Sequence, residues 1–409
     1  MRLCSNIAVV NTRNRPLLFA LLSFAAVVAW RCGGSDETSS RPATDDFSDA
    51  SLVALFGALP ETAKAPADNP TTPEKVELGR LLFYDPILSG QKDVACATCH
   101  HPEFGYAESL EISIGANGHG FGSRRAFADP NDVPFTKRNA HTVVNAAFNG
   151  ITADGSYDPA KAPMFWDLRS EGLEAQALEP IKSFEEMRGH PYQTEAALDS
   201  AVARLRAIDE YRRRFATAFG TETLTSVEVG KALAAFQRTL VATNSRFDQY
   251  ARGDKSALSE LEKEGMLAFV KSGCAECHRG PMFSDFKLHA LGVADNEKLT
   301  QPDSGKEGRY AFRTPTLRNL RHTAPYMHSG KLPGLQQVLE FYEDLSGNQV
   351  ANPRVTPAML DPLVAKKLRL EFRDIQAIIA FLDALNDDDF DKRIPERVPS
   401  GLPVGGNIQ

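Results

Sequence analysis

The chain contains one five-residue pattern twice, as Cys96-Ala97-Thr98-Cys99-His100 and as Cys274-Ala275-Glu276-Cys277-His278. Each has the C-x-x-C-H form of c-type haem attachment, in which two thiols form thioethers and the histidine ligates the iron. Together they use every cysteine beyond residue 32. A thioredoxin-like dithiol would not require histidine in both copies, and a single zinc site would leave both histidines without a role. The motifs therefore predict two covalently attached haem c groups.

The segments before the two motifs are similar to each other, as a duplication would leave them. Gly79-x-Leu81-x-Phe83 precedes the first motif and Gly265-x-Leu267-x-Phe269 precedes the second, each in an apolar pattern of helical period. Such patterns predict helices at residues 72–84, 194–219, 226–251, 256–271 and 372–385. The sequence has no run of alternating strands. It predicts a mainly α fold of two cytochrome-c-like helical domains, each with one covalently attached haem.

The N-terminus has the form of an export signal. A basic segment precedes an uncharged stretch over residues 16–30, which is shorter than the roughly 20 residues of a membrane-spanning helix. Cys32 follows, and it becomes a lipidated N-terminus on one interpretation. A plain cleaved signal is the other, and Arg31 favours it because it fits a lipoprotein processing site poorly. Residues 1–32 are thus interpreted as the leader of a periplasmic protein, with or without a lipid anchor at Cys32.

The composition changes after the leader. Residues 33–68 are rich in Ser, Asp, Ala and Pro with little periodicity, which predicts a flexible tether. Each haem motif lies in one of the two segments that follow. We therefore expect an N-terminal cytochrome c domain over residues 69–250 and a C-terminal one over residues 251–409.

The overall composition is that of a globular, mildly acidic protein. The chain has 409 residues and a formal net charge of −7, with 42% hydrophobic and 24% charged residues. This balance excludes a collagen-like or wholly disordered chain. Acidity also argues against nucleic acid as a partner, because phosphate binding needs a basic surface.

One tryptophan lies outside the leader, at position 166 between the two motifs. From the residues alone, Trp166 is either a core anchor or an aromatic bridge for electrons between two irons. Gln176 and Glu186 follow it, and by themselves they are compatible with solvated helix positions. A haem iron with a protein ligand on its far side only transfers electrons, whereas an iron with a free far-side position can react with a substrate. The residues outside the haem motifs are needed to distinguish the two cases.

Three further blocks, together with both haem motifs, make the chain similar to a known family. They are Phe165-Trp166-Asp167, Arg313-Thr314-Pro315-Thr316-Leu317-Arg318-Asn319 and Thr323-Ala324-Pro325-Tyr326-Met327-His328-Ser329-Gly330. On these residues the sequence resembles the bacterial di-haem cytochrome c peroxidase family, and within it the MauG-like branch. The similarity runs over residues 66–403, nearly the whole chain after the leader.

The resemblance implies that the haem carried by His100 is the peroxide-reactive one. Gln176 and Glu186 match the family's distal pair, and cleavage of the O–O bond needs a group that takes a proton from one oxygen and delivers it to the other. The match assigns this acid–base role to Glu186 and the orientation of peroxide to Gln176. Trp166 takes the role of the bridge between the haems.

The far-side ligand of the second haem, on His278, separates the branches of the family. The peroxidases have a methionine fourteen residues after the histidine of the Pro-Tyr-x-His-x-Gly block, whereas this chain has Tyr342 there, as the MauG-like branch does. The resemblance therefore implies that Tyr342 ligates this iron. The alternatives are that Tyr342 is a core residue and that Met327 or Met282 is the ligand.

The family also has a calcium site between its haems. Asn139 and the backbone carbonyls of Thr323 and Pro325 match that site, and protein oxygens suit a hard cation. The resemblance thus implies two covalently bound haem c groups and one Ca²⁺ as cofactors.

Two histidines bear on whether the first haem is open. Some peroxidases keep a histidine on its far side, and the candidates here are His119 and His141, but neither lies at the matching offset. His119 is interpreted as a loop residue. We therefore expect an open peroxide site in the ferric protein.

Four further polar residues carry weaker expectations. His289 is expected at the surface and His328 near the edge of the second haem. Arg169 and Arg318 are candidate partners of the haem propionates.

The sequence predicts a di-haem oxidoreductase of the cytochrome c peroxidase type that uses hydrogen peroxide as oxidant, with the source of its electrons left open. Three functions are distinguished. The first is a peroxidase that reduces hydrogen peroxide with electrons passed through the second haem from a small cytochrome c or cupredoxin donor. The second is a MauG-like enzyme that uses peroxide to oxidise Tyr or Trp side chains of a partner protein. The third is a pure electron-transfer cytochrome, against which Glu186 and Gln176 argue. Nucleic acid is not expected as a partner, and a membrane only through a lipid anchor.

Overall fold

A computed structural model describes residues 48–408, so the predicted leader with Cys32 lies outside the described residues. Within this range the chain is mainly helical, and the predicted mainly α fold is confirmed. No helix in residues 48–408 is long and apolar enough to cross a membrane. The helices are α1 (Asp49–Phe56), α2 (Pro73–Tyr84), α3 (Cys96–Cys99), α4 (Leu173–Gln176), α5 (Glu179–Lys182), α6 (Thr194–Arg206), α7 (Asp209–Phe219), α8 (Ser226–Gln237), α9 (Arg246–Ala251), α10 (Glu260–Lys271), α11 (Leu335–Ser346), α12 (Pro362–Lys367) and α13 (Ile375–Asp383).

Short antiparallel hairpins lie in the loops between the helices. The described residues contain three of them, each with two strands. They pair β1 (Gly118–His119) with β2 (Ala126–Phe127), β3 (Pro163–Met164) with β4 (Ser170–Glu171), and β5 (Leu288–Ala290) with β6 (Ala311–Arg313).

The glycine shared by the two duplicated segments has the same structural role in each. Gly79 on α2 meets α8 at Ala232, and Gly265 on α10 meets α13 at Ala377. In both places a Cβ atom would collide with the carbonyl oxygen of the alanine across the helix pair. Glycine therefore lets the two helices pack at close range.

The phenylalanine four residues after each glycine repeats this correspondence. Phe83 contacts Phe236 on α8, with ring centroids 5.3 Å apart, and Phe269 contacts Phe381 on α13, with centroids 5.6 Å apart. In each pair the second phenylalanine lies four residues after the alanine that faces the glycine. The packing agrees with the duplication inferred from the sequence, with α13 as the counterpart of α8.

Two separate hydrophobic cores are built on these helix pairs. The first contains buried side chains of α2, α6, α7 and α8, and the second contains those of α9, α10 and α13. Each end of the described chain packs in the core of the other half. Phe56 of α1, near the N-terminal end, belongs to the second core, whereas Phe390 and Val398, near the C-terminal end, belong to the first. The division into domains at residues 69–250 and 251–409 stays a prediction.

The tether predicted over residues 33–68 is wrong for the part that the structure describes. Residues 49–56 form α1, whose Leu52 and Phe56 are buried in the second core, and Leu59 beyond it is buried as well. Leu52 and Phe56 are four residues apart and so share one helix face. The polar composition of the surrounding segment hides this short apolar pattern.

Two of the long predicted helices are interrupted. The prediction over residues 194–219 is divided into α6 and α7, because Ile208 has an extended backbone between them. The prediction over residues 226–251 is divided into α8 and α9, and α9 begins at a new capping box formed by Ser245 and Asp248. Apolar periodicity continues across both interruptions, so it does not reveal them.

Candidate active site

The first C-x-x-C-H motif lies on the wall of a cavity of about 580 Å³. Helix α3 consists of the first four residues of the motif, and both Cys96 and Cys99 line the cavity. The Nδ1 atom of His100 donates a hydrogen bond of 3.0 Å to the carbonyl oxygen of Tyr106. This bond fixes the tautomer and leaves Nε2 free to ligate a metal. Burial lowers the pKa of His100, which keeps the imidazole in its neutral, ligating form.

The second motif repeats this arrangement in a cavity of about 200 Å³. Cys274, Cys277 and His278 line the cavity. The Nδ1 atom of His278 donates a hydrogen bond of 2.8 Å to the carbonyl oxygen of Phe283. Burial lowers the pKa of His278 to about 4, so this imidazole is neutral as well.

The donor atoms in both cavities fit a covalently attached haem. The four cysteines of the described residues form no disulfide, and each pair is followed by a histidine with one free ring nitrogen. The two cysteine pairs line different cavities, which excludes one metal site built from all four thiols. Each cavity would thus hold one haem through two thioethers and an Nε2 ligand.

The distal pair predicted from the sequence lies in the first cavity. Gln176 is the last residue of α4, and Glu186 lies in a single π-helical turn, Phe184–Arg188. Both side chains line the cavity, together with Pro180 of α5. The fold therefore brings a carboxyl and a carboxamide to the cavity that also contains His100.

The π-helical turn is held against the loop that precedes β1. The backbone N–H of Ala116 donates to the carbonyl oxygen of Glu185 at 3.3 Å. A Cβ atom at position 115 would collide with the carbonyl oxygens of Glu185 and Glu186. Gly115 is therefore required for the close approach that positions Glu186.

The electrostatic environment of Glu186 suits proton exchange. Burial raises the pKa of Glu186 to about 7, while the positive charge of Arg169 opposes the rise and the negative charge of Glu185 adds to it. Arg169 is itself fixed by an ion pair of 2.9 Å with Asp167 and by stacking over the ring of Phe165 at 3.5 Å. A carboxyl with a pKa near neutrality can accept and release a proton at neutral pH.

Trp166 lines both cavities. Its indole Nε1 donates a hydrogen bond of 2.9 Å to the carbonyl oxygen of Asn139. The indole stacks on the ring of His141, with centroids 4.1 Å apart, and meets the ring of His328 edge-on at 6.3 Å. The side chain is only 8% exposed, so it is a buried anchor and also the aromatic contact between the two cavities.

Tyr342 on α11 lines the second cavity, as do both cysteines of the second motif. Burial and the nearby thiols raise the pKa of its phenol. No other described residue hydrogen-bonds to its hydroxyl group, whereas Tyr326 in the same cavity donates its hydroxyl to Leu320 at 2.8 Å. Met327 lines the second cavity too, but Met282 lines the first. Of the three ligand candidates, two therefore lie in the cavity that contains His278.

All three residues of the expected calcium site, Asn139, Thr323 and Pro325, belong to the lining of the second cavity. The Nδ2 atom of Asn139 donates to the carbonyl oxygens of Leu110 and Glu111 at 3.0 and 3.2 Å. These two bonds orient the carboxamide and leave Oδ1 available to a cation.

The two histidines considered near the first haem differ in position. His119 is exposed and lines neither cavity, but it lies in the two-residue strand β1 and not in a loop. His141 lines both cavities, and its Nε2 accepts a hydrogen bond of 3.2 Å from Arg313. Burial and the charge of Arg313 hold the pKa of His141 well below its usual range. His141 is therefore a neutral ring stacked on Trp166.

His289 is buried, so the expectation of a surface position is wrong. Its ring lies between two carboxylates, with Nδ1 at 2.8 Å from Asp361 and Nε2 at 3.0 Å from Asp285. Burial lowers its pKa, but the hydrogen bond to Asp285, the contact with the Cys277 sulfur and the hydrogen bond to Asp361 outweigh this and raise the pKa of His289. Asp285 and His289 also lie close to Cys277, so this group belongs to the attachment site of the second haem.

Arg318 is not available to a haem propionate, contrary to the expectation from the sequence. Its guanidinium forms two bonds to Asp248, at 2.7 and 2.9 Å, and both side chains are buried. Arg313 of the same sequence block lines both cavities and was not singled out from the sequence. The block contains two arginines, and only the tertiary contacts distinguish them.

A family model described as di-haem cytochrome c peroxidase matches residues 73–256. The chain is 35% identical over 381 residues to the methylamine utilization protein MauG of Methylorubrum extorquens. The aligned residues cover 90% of this chain and 96% of that protein. The chain belongs to the di-haem cytochrome c peroxidase family. It is also 30% identical over 341 residues to cytochrome c551 peroxidase of Nitrosomonas europaea, covering 82% of this chain and 86% of that one.

Solved structures agree with this assignment. A MauG-like protein associated with microbial copper homeostasis matches with a TM-score of 0.63 and 28% identity, over 80% of this chain and 95% of that protein. The diheme peroxidase BthA from Burkholderia thailandensis, at 21% identity and a TM-score of 0.61, shares the fold. The predicted family, fold and enzyme class are confirmed. The protein is a peroxide-using oxidoreductase with two haem c groups, and the pure electron carrier considered from the sequence is wrong.

Proposed function

We propose that the protein reduces hydrogen peroxide in the first cavity from a fully ferric resting state and draws the electrons from aromatic side chains of a bound partner protein. The observation that carries this choice is the position of Tyr342 in the second cavity. A phenolate is a hard, anionic ligand that favours the oxidised states of iron, whereas a thioether favours the reduced state. Ligation by Tyr342 therefore favours storage of oxidising equivalents over acceptance of electrons from a donor.

The side chains of the first cavity supply the proton transfers. The iron of the first haem supplies the redox chemistry that breaks the O–O bond. The carboxylate of Glu186 accepts the proton of the near oxygen and returns it to the far oxygen, which leaves as water. Its pKa of about 7 supports both steps at neutral pH. Gln176 orients the peroxide by hydrogen bonding, and Pro180 adds a wall without an N–H donor.

Trp166 connects the two sites in this proposal. It lines both cavities and contacts His141 at 4.1 Å between ring centroids. An aromatic ring at this place shortens each tunnelling step between the haems. Its hydrogen bond to Asn139 and its burial keep the ring in one orientation.

The first experiment adds one equivalent of hydrogen peroxide to the fully ferric protein and follows the visible and near-infrared spectrum. We expect both haems to respond at once, without a reductant. If no reaction occurs until one electron per molecule has been added, the proposed resting state is wrong and the enzyme is a reductively activated peroxidase.

Variants of the second cavity test the ligand directly. Tyr342→Met should raise the midpoint potential of the second haem, because a soft thioether replaces a phenolate. Tyr326→Phe is the matched control. It removes a tyrosine hydroxyl from the same cavity, but this hydroxyl is already bonded to Leu320. An unchanged potential in Tyr342→Met, or an equal change in Tyr326→Phe, would contradict ligation by Tyr342.

Met327 supports a second candidate function. It lines the same cavity as Tyr342 and lies in a turn with a φ of 72°. Thioether ligation by Met327 would favour reduction of this haem by a small cytochrome c or cupredoxin, as in a peroxidase supplied with electrons from a donor. Met327→Leu would then lower the midpoint potential of the second haem. If only Tyr342 variants change that potential, this candidate is rejected.

We also propose one bound Ca²⁺ at Asn139 and the carbonyl oxygens of Thr323 and Pro325. All three border the second cavity, and the Nδ2 bonds of Asn139 leave its Oδ1 free to bind a cation. Oxygen ligands completed by water suit Ca²⁺. Asn139 also accepts the indole hydrogen bond of Trp166 through its backbone, so the ion would stabilise the bridge.

The basic and apolar leader supports a periplasmic location, with a lipid anchor at Cys32 as one form of the mature protein. In that compartment the partners would be hydrogen peroxide and one redox partner protein. Fractionation of cells that produce the full chain tests the location, and mass spectrometry of the mature N-terminus tests the anchor. Recovery of unprocessed chain in the cytoplasm would contradict both.

A further inference from the structure

Arg313 occupies the junction of the two cavities. It is the last residue of β6, lines both cavities and is 5% exposed. Its Nε donates to the carbonyl oxygen of Phe165 at 2.9 Å, and its Nη2 donates to Nε2 of His141 at 3.2 Å. Its backbone N–H donates to the carbonyl oxygen of Trp166 at 2.7 Å. One residue thus holds both the tryptophan of the bridge and the histidine stacked on it.

The charge of Arg313 has no counterion among the residues that the structure describes. Among residues 48–408 no carboxylate lies within ion-pair distance of its guanidinium. The two other arginines near the first cavity are paired, because Arg138 contacts Asp303 and Asp167, and Arg169 contacts Asp167. Burial lowers the pKa of Arg313 to about 10, with no carboxylate to oppose it. Arg313 is therefore a buried cation whose partner has to come from elsewhere.

A buried guanidinium without a counter-charge is strongly unfavourable, and its planar donors match a carboxylate. Two of its donors are used by Phe165 and His141, and Nη1 has no partner among the described residues. Each haem brings two carboxylate groups into a cavity that Arg313 lines. The other arginines considered for this role are occupied, Arg318 by Asp248 and Arg169 by Asp167.

We propose that Arg313 binds a haem carboxylate at the junction of the two cavities and thereby fixes His141 and Trp166 between the haems. Arginine can only donate, so its bond to His141 requires an unprotonated Nε2. The same guanidinium then carries one bond to the cofactor and one to the ring stacked on the tryptophan. It acts as a positioning residue for electron transfer between the haems and takes no part in peroxide cleavage.

An anion site of this kind makes a prediction about pH. An adjacent arginine lowers the pKa of a carboxyl by about 1–3 units, so the bound carboxyl stays ionised in the native protein. Arg313→Met should release it, and its pKa should rise into the range of about 5–7. The midpoint potential of the affected haem should then fall as the pH rises through this range, because a new negative charge favours ferric iron.

The experiment measures the midpoint potentials of both haems against pH in purified holoprotein. We expect flat profiles in this range for the wild type, a pH-dependent profile in Arg313→Met, and recovery of the flat profile in Arg313→Lys, which keeps the charge. Arg309→Met is the matched control, because Arg309 lies four residues before Arg313, in the connection between β5 and β6, and is exposed and paired with Glu307. The haem whose potential changes identifies the bound carboxylate.

A second measurement tests the positioning of the bridge. In Arg313→Met and Arg313→Lys the second haem should respond to peroxide more slowly than in the wild type, because neither side chain can hold Phe165 and His141 as the planar guanidinium does. Arg313→Gln supplies an uncharged donor in case Arg313→Met does not mature with both haems. If the midpoint potentials of Arg313→Met and Arg313→Gln depend on pH as in the wild type, the proposal is overturned. It is also overturned if the potentials of Arg309→Met depend on pH as strongly as those of the two uncharged Arg313 variants.

Discussion

Replacement of Glu186 by glutamine tests the chemistry of the first cavity most directly. The amide keeps the size of the side chain in the π-helical turn but can neither accept nor return the peroxide proton. Positioned acid–base groups contribute about 10²–10⁴ in rate, so the second-order rate constant of the ferric protein with peroxide should fall by that factor in Glu186→Gln. Spectra of the resting variant should still show both haems attached.

The pKa of Glu186 sets the expected pH profile. With a pKa of about 7, roughly half of the carboxyl is ionised at pH 7 and roughly a tenth at pH 6. The carboxylate is the form that accepts the peroxide proton, so the wild-type rate constant should drop about fivefold from pH 7 to pH 6. Removal of a like charge in Glu185→Gln should shift this decline to lower pH, because the charge of Glu185 raises the pKa of Glu186.

Stopped-flow mixing of ferric protein with peroxide, between about pH 5 and 9, measures both quantities. Glu195→Gln is the control for loss of one carboxylate, since Glu195 is exposed at the start of α6. It should leave the rate and the pH profile unchanged. A Glu186→Gln variant that reacts at the wild-type rate, or that keeps the decline below pH 7, would remove Glu186 from the mechanism.

Three further predictions concern the bridge, the cation and the fold. Trp166→Phe loses the indole N–H and part of the contact with His141, so the first haem should react with peroxide as in the wild type while the response of the second haem is delayed. If the second haem of the variant responds at the wild-type rate in stopped-flow traces, the bridge is rejected. Elemental analysis should find one calcium ion in the wild type and none in Asn139→Ala, and calcium-free wild-type protein would reject the site. Phe56→Ala should lower the free energy of unfolding by about 3–5 kcal/mol, because Phe56 is fully buried among four other aromatic rings. Phe372→Ala, at a phenylalanine that is 69% exposed, should change it little in the same urea titration.

Several residues of the site were accessible from the sequence because a short local pattern or a family motif marks them. The five-residue haem motifs carry their own chemistry, and the fixed offsets after Trp166 point to Gln176 and Glu186. The structure brings all three side chains to the cavity that contains His100. The offset that singled out Tyr342 likewise leads to the cavity of the second haem.

Charged residues were predicted less well, because their roles depend on what lies opposite them. Arg313 and Arg318 stand five residues apart in one sequence block, yet Arg318 is neutralised by Asp248 and Arg313 has no carboxylate among the described residues. His289 was expected at the surface and is instead enclosed by Asp285 and Asp361. The partners of these side chains are remote in the chain, and no local spacing encodes them.

The amino-acid sequence alone predicts the number of haems, their covalent attachment, the mainly α fold and the family. These properties depend on contiguous motifs and on the helical period, which are local in the chain. Long-range packing, in contrast, places α1 in the second core and Phe390 in the first, and it brings Trp166 and Arg313 together between the cavities. An apolar face shows that a helix is buried but not against what, because the choice of partner is made by packing among segments far apart in sequence.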